Sequence, residues 1–133
     1  MTILKPMARP RQFDEKTAIE AAAAVFRQRG YHATSVDHLV EATGVHRGSL
    51  YGAFGSKHGL FARVLEHVAA DRHDSAGRLD VLLVALLEIA PEDERLRARV
   101  QAVIEDGGTT PDELGRRLLA RAGLPDIDNG GTT

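Results

Sequence analysis

Between Gly44 and Gly59 the sequence reads "GVHRGSLYGAFGSKHG". Five glycines alternate with the cations Arg47 and Lys57, the imidazoles His46 and His58, and the hydroxyls Ser49, Tyr51 and Ser56. Glycine inside a helix costs roughly 1 kcal/mol relative to alanine, so this segment gives up helix-forming ability for another purpose. Three chemistries gather glycines closely. A phosphate loop ends in Gly-Lys-Ser/Thr, which is missing here. A membrane helix pair uses glycines four apart in an apolar surround. Gly44, Gly48 and Gly52 have that spacing, but they lie among His46, Arg47, Ser49, Lys57 and His58. The third use is a helix laid close against a nucleic acid, and it fits both the small residues and the cations.

Other chemistries are poorly supplied. With no cysteine, disulfides and thiolate metal sites are excluded, and a reducing cytoplasm is the expected compartment. His67 and His73 could converge with Asp71 on a metal, yet no histidine pair has the i, i+4 spacing of helical zinc ligands. No Ser or Thr has a His partner suggested by pattern, so we read neither enzyme activity, nor metal, nor cofactor from the chain. The longest apolar run, "VLLVALLEIA", is half a membrane span, and "MTILKPMARPRQF" lacks a signal-peptide core. Charge is uneven. Residues 1–73 hold ten Lys/Arg against seven Asp/Glu and all six histidines, whereas residues 74–133 hold seven against twelve. A basic first half points to a polyanion at that end alone.

The elements that must position this segment read as helices throughout, so the fold class is all-α. Residues 1–12 form a basic arm carrying Lys5, Arg9 and Arg11. Asp14 caps a helix through Arg29 whose Ile19, Ala22, Ala23, Val25 and Phe26 recur at helical spacing, and Gly30 ends it in a left-handed turn. Thr34 with Asp37 suggests a capping box for a two-turn helix that Gly44 closes. A short helix follows, about His46 to Ala53, and Ser56 caps a longer one with Leu60, Phe61, Val64, Leu65 and Val68. Beyond it lie an apolar stripe terminated by Pro91, a second stripe from Leu96 to Ile104, and a helix opened by "TPDE" at Thr110 to Glu113. Two short helices joined by a tight glycine turn are the sequence form of a helix-turn-helix. Its second helix lies in the DNA major groove. Eight residues rise roughly 12 Å, about the width of that groove.

The run "TAIEAAAAVFRQRGYHATSVDHLVEATGVHRGSLYGAFGSKHGLFARVLE" resembles the DNA-binding domain of the TetR family of bacterial transcriptional regulators. The likeness covers about residues 13–68 and rests on "AVFRQRGYHATSV", "EATGV" and "GSLYGAFGSKHGLF" in that order. It implies that Thr34 and Ser35 present a hydroxyl or backbone N–H to a phosphate. It implies too that Arg47, Gly48 and Ser49 face base edges, with Arg47 reading guanine. Tyr51 and Lys57 would hold phosphates, with Val45, His46 and Gly52 completing the DNA-facing segment. Leu39, Val45, Leu50, Phe54 and Phe61 would be core. Gly52 and Ala53 depart from the family pattern, which has larger side chains there, and two potential contacts are lost.

The resemblance divides the chain into the arm, a helix-turn-helix domain over 13–56, a shortened helical dimerisation region over 57–124, and a disordered tail over 125–133. Family members have a longer C-terminal region enclosing a ligand pocket. Three short helices barely cover one another, so the resemblance supports DNA binding better than sensing of a small-molecule effector. The stripe Leu79, Leu82, Leu83, Leu86 and Leu87 has further apolar residues around it and calls for a second subunit as cover. The expected partners are a near-palindromic DNA operator and a second copy of the chain, acting as a repressor. The alternative is a truncated interaction module that pairs with another regulator and binds DNA weakly.

Overall fold

The structure, a computed structural model, describes residues 13–125, and every regular element among them is helical. The order is α1 (Glu15–Arg29), α2 (Val36–Thr43), α3 (Arg47–Phe54), α4 (Lys57–Ala70), α5 (Ser75–Val84), α6 (Glu94–Gly107) and α7 (Pro111–Arg121). A π-helical turn, Ala85–Ile89, follows α5 directly. The basic arm with Lys5, Arg9 and Arg11 lies outside the described residues, as does the tail beyond Pro125. The chain forms two compact units that divide between His67 and Val68, within α4.

In the first unit each helix begins and ends for a local reason. The Asp14 side chain accepts from the Lys16 amide (3.0 Å) and the Thr17 hydroxyl (2.9 Å). Those bonds, Thr17's first, hold its carboxyl below the usual value. Ala18, Ile19, Ala22, Ala23 and Phe26 make the buried stripe of α1. Gly30 then turns the chain at φ 86°, ψ −177°. That φ is positive as expected, but the ψ is extended rather than left-handed, a region essentially reserved for glycine.

The start of α2 differs from the sequence expectation. Its cap is Ser35, not Thr34, and the reciprocal partner is His38, not Asp37. Ser35 Oγ accepts from the His38 amide, and His38 Nδ1 accepts from the Ser35 amide, both at 3.0 Å. Thr34 is buried instead, its hydroxyl donating to the Gly30 carbonyl at 2.6 Å. Gly44 ends α2 in the left-handed conformation (φ 72°, ψ 12°). Helix α3 begins at Arg47, one residue later than the spacing suggests, and Ser56 Oγ accepts the Gly59 amide to open α4. Phe26 meets Phe61 edge-on at 5.1 Å and stacks with Tyr31 at 5.9 Å. This aromatic cluster fixes α1 to α4.

The second unit packs α5 and its π turn against α6 and α7. The π turn is real geometry: the Ala90 amide donates to the Ala85 carbonyl, five residues back, at 2.8 Å. Val81, Leu82, Leu83, Val84, Ala85 and Ile89 are buried. Burial divides the expected interface stripe. Leu82 and Leu83 face inward, Leu79 and Leu86 are half-buried, and Leu87 is 64% exposed.

Helix α7 has the expected capping box, Thr110 with Glu113, and proline at its first position. It contains no buried residue. Charge ties it to α5: Arg117 grips both oxygens of Asp80 at 2.7 and 3.0 Å, and Arg121 adds a contact at 3.2 Å, beside the half-buried Leu114 and Leu119. Burial alone would push the Asp80 carboxyl up, but the hydrogen bonds and charges of Arg117 and Arg121 outweigh it and hold it below its ordinary value. A carboxyl depressed in the folded state contributes stability above its unfolded pKa and loses it as pH falls through the folded one. Asp80→Asn should therefore lower unfolding free energy by about 1–3 kcal/mol at pH 7, less than for a fully buried pair because both arginines are partly solvated. Urea titrations should show the gap between wild type and variant closing as pH drops below 4. A gap that persists at pH 2 would mean that the charge is not what holds α7.

Candidate nucleic-acid interface

Helix α3 is anchored from one side and bare on the other. Leu50 (1% exposed) and Phe54 (8%) bury its inner face, while His46, Arg47, Gly48 and Gly52 stand exposed. A Cβ built on Gly48 or Gly52 meets nothing within 4 Å, and neither residue has a positive φ. Neither packing nor backbone conformation requires glycine at these two positions. Gly59 is the contrast: a Cβ there would collide with the Phe54 carbonyl oxygen, so that glycine serves the tight α3–α4 junction.

The predicted DNA-facing residues fall into three groups. Arg47, Gly48 and Gly52, with the half-buried Ser49 and Tyr51, lie on α3 and have at least part of their surface open. Ser35 is exposed at the start of α2, where its hydroxyl proton remains a donor although its lone pair and amide serve the capping box. Lys57 is half-buried: its ammonium donates to the Tyr31 and Thr34 carbonyls, each at 3.0 Å, and lies 4.3 Å from the centre of the Tyr31 ring. Two of its three protons are thus used to pin the α1–α2 loop onto the start of α4.

Two residues of the set are buried. The Thr34 hydroxyl and amide are both taken, by Gly30 and Tyr31, and its side chain is buried. Val45 is 7% exposed and its amide donates to Thr43 Oγ1, which puts it in the core. His46 occupies the cap position of α3 without a side-chain capping bond.

Two further residues shape this surface without having been expected to. Asp37 accepts from Arg47 Nη2 at 2.9 Å across the turn between α2 and α3, with both side chains largely exposed. His38 completes the cap of α2. No local spacing links Asp37 to a residue ten positions away. His38 was legible in principle, three residues after a serine, but histidine is not the usual residue there.

Among the described residues no helix is long and apolar enough to cross a membrane, and no group of three or more metal-ligating side chains comes together. Residues 18–64 match the family model for bacterial regulatory proteins of the tetR family. The chain is 48% identical over 64 residues to the HTH-type transcriptional repressor BdcR of Escherichia coli (strain K12), covering 47% of this chain and 32% of that protein. It is 45% identical over 64 residues to the HTH-type transcriptional repressor ComR of the same organism, covering 48% and 30%. Over 97 residues it is 36% identical to the HTH-type transcriptional activator FasR of Mycolicibacterium smegmatis (strain ATCC 700084 / mc(2)155), covering 72% and 41%. The matches thus span about a third of the two repressors. No solved structure matches the chain.

The glycine geometry gives a direct test by thermal melting. Gly48→Ala and Gly52→Ala should each leave stability equal or raise it by up to about 1 kcal/mol, the helix-propensity difference. Gly59→Ala should lower it, because its Cβ meets backbone. A destabilised Gly48→Ala would place that position against the protein's own core.

Proposed function

We propose, from the match of residues 18–64 to the family model for bacterial regulatory proteins of the tetR family, that the protein is a DNA-binding transcriptional regulator whose α3 enters the major groove. The observation that carries the reading is the open pair Gly48 and Gly52: glycine is kept on an exposed face where the fold itself does not ask for it. A duplex approaching that face meets backbone instead of side chains, and base edges come within reach of Arg47 and Ser49. Ser35 and Tyr51 hold phosphates in this arrangement, and Lys57 gives one its remaining proton. Lys5, Arg9 and Arg11 add cations for further phosphate contacts.

Arg47 must leave Asp37 to reach a base. The exposed pair is weak, whereas a bidentate arginine–guanine contact is worth about 1–3 kcal/mol of discrimination. DNA therefore wins the guanidinium. Selection of bound sequences from a random pool supplies the operator. On it, Arg47→Ala should weaken specific binding by about 1–3 kcal/mol and flatten preference at one base pair per half-site. An unchanged profile across single-base operator variants would remove Arg47 from the readout.

We further propose that the protein works as a homodimer on a near-palindromic operator, as a repressor that blocks promoter access. A helix-turn-helix dimer places its readers about 34 Å apart, one DNA turn. Leu87 is the apolar residue of the α5 stripe most available to a second copy. Its exposure makes Leu87→Glu a clean test, since the change should leave the monomer folded. Sedimentation should show a dimer in the wild type and a monomer in the variant, with operator affinity lost together with the dimer. A wild-type monomer at tens of micromolar would overturn the dimeric reading.

A further inference from the structure

We propose that Lys57 positions Ser35 for its phosphate, beyond any contact of its own with DNA. This role rests on the DNA-binding reading given above, and it makes two phosphate contacts on different helices depend on one another.

The link runs through a single peptide unit. Lys57 Nζ donates to the Thr34 carbonyl oxygen at 3.0 Å. That carbonyl and the Ser35 N–H belong to the same planar group. Its other edge is held too, because the Ser35 N–H donates to His38 Nδ1 at 3.0 Å. Fixed at both edges, the unit cannot turn, and a turn here would swing the Ser35 side chain that follows it. Ser35 Oγ already accepts the His38 amide at 3.0 Å, so its proton is what it offers a phosphate. The loop before it is tied by the same ammonium. Lys57 donates to the Tyr31 carbonyl at 3.0 Å, the Thr34 amide reaches that oxygen at 3.2 Å, and the Thr34 hydroxyl closes on the Gly30 carbonyl at 2.6 Å.

An ammonium suits this post and a guanidinium does not. Two carbonyl oxygens and the face of Tyr31, whose centre lies 4.3 Å from Nζ, gather around one compact charge. Lysine sets its protons tetrahedrally about one atom, whereas arginine spreads its donors in a plane on a longer head. Arginine at this position keeps the charge and loses the fit. A lysine retained only for a phosphate has no such requirement, since arginine binds phosphate at least as well. Lys57 also stands in the first turn of α4, where a cation opposes the helix dipole, and the two carbonyl bonds offset that opposition.

Binding of the full-length chain to the selected operator duplex is measured by fluorescence anisotropy across a range of salt concentrations. Ser35→Ala should weaken binding about fivefold, the worth of one hydrogen bond to a charged group. Lys57→Arg should weaken it by about as much with the salt slope unchanged, because no cation is removed. In the double variant the losses should not add, and Ser35→Ala should cost less than about twofold further. Lys57→Met should show the same non-additivity with a slope shallower by about 0.9, and it decides the matter should Lys57→Arg fail to fold. Wild-type affinity in Lys57→Arg, additive losses in the double variant, or a silent Ser35→Ala would each overturn the positioning role and leave the DNA-binding reading standing. A wild-type chain that binds no duplex would overturn both.

Discussion

An eight-residue helix with glycine at two of its positions cannot stand by itself in water. The cost of nucleating a helix is spread over too few hydrogen bonds, and the glycines weaken those further. The first unit can be understood as the set of contacts that makes α3 exist regardless. Leu50 and Phe54 give it a buried inner face, the left-handed turn at Gly44 sets its entry, and Gly55, also at positive φ, closes its last turn by donating its N–H to the Tyr51 carbonyl. Behind it, Lys57 closes the loop between α1 and α2 with two carbonyl bonds, and Phe26, Tyr31 and Phe61 lock α1 against α4. Because the support comes from one side, the other side is free to carry almost no side chain at all.

What could be read from sequence follows the range of the interaction. Asp14, Gly44, Ser56 and the Thr110–Glu113 box act within four residues, and each appears where its type predicts. The apolar stripes of α1, α4 and α6 have helical period, and their members are largely buried. Failures begin where two features compete or where partners are distant. Thr34 and Ser35 are adjacent and both able to cap; only three-dimensional packing sends one inward to Gly30 and leaves the other to cap. The leucines of α5 and the π turn look equivalent along the chain, yet packing buries Leu82 and Leu83 and leaves Leu87 outside. The widened turn at Ala85–Ile89 has no composition that announces it. Asp80 meets Arg117 and Arg121 from 37 and 41 positions away, beyond any local pattern.

The candidate site shows the same division. The identities of Arg47, Gly48 and Gly52 pointed to a face that approaches a polyanion, and their exposure follows from the period of α3 once Leu50 and Phe54 are core. The state of that face did not follow. Arg47 is engaged by a carboxylate, and Lys57 is as much a structural tie as a free cation. These contacts belong to the folded chain and have no signature in residue type.

The box at the start of α2 carries one more consequence. A glutamate in the reciprocal position would bring a negative charge to this helix end. His38 makes the same bond to the Ser35 amide through a ring nitrogen, with no carboxylate needed. Asp37, the acid of that turn, pairs instead with Arg47. The helix end is thus closed by two reciprocal hydrogen bonds, and the one carboxylate of its first turn is held by an arginine of the next helix.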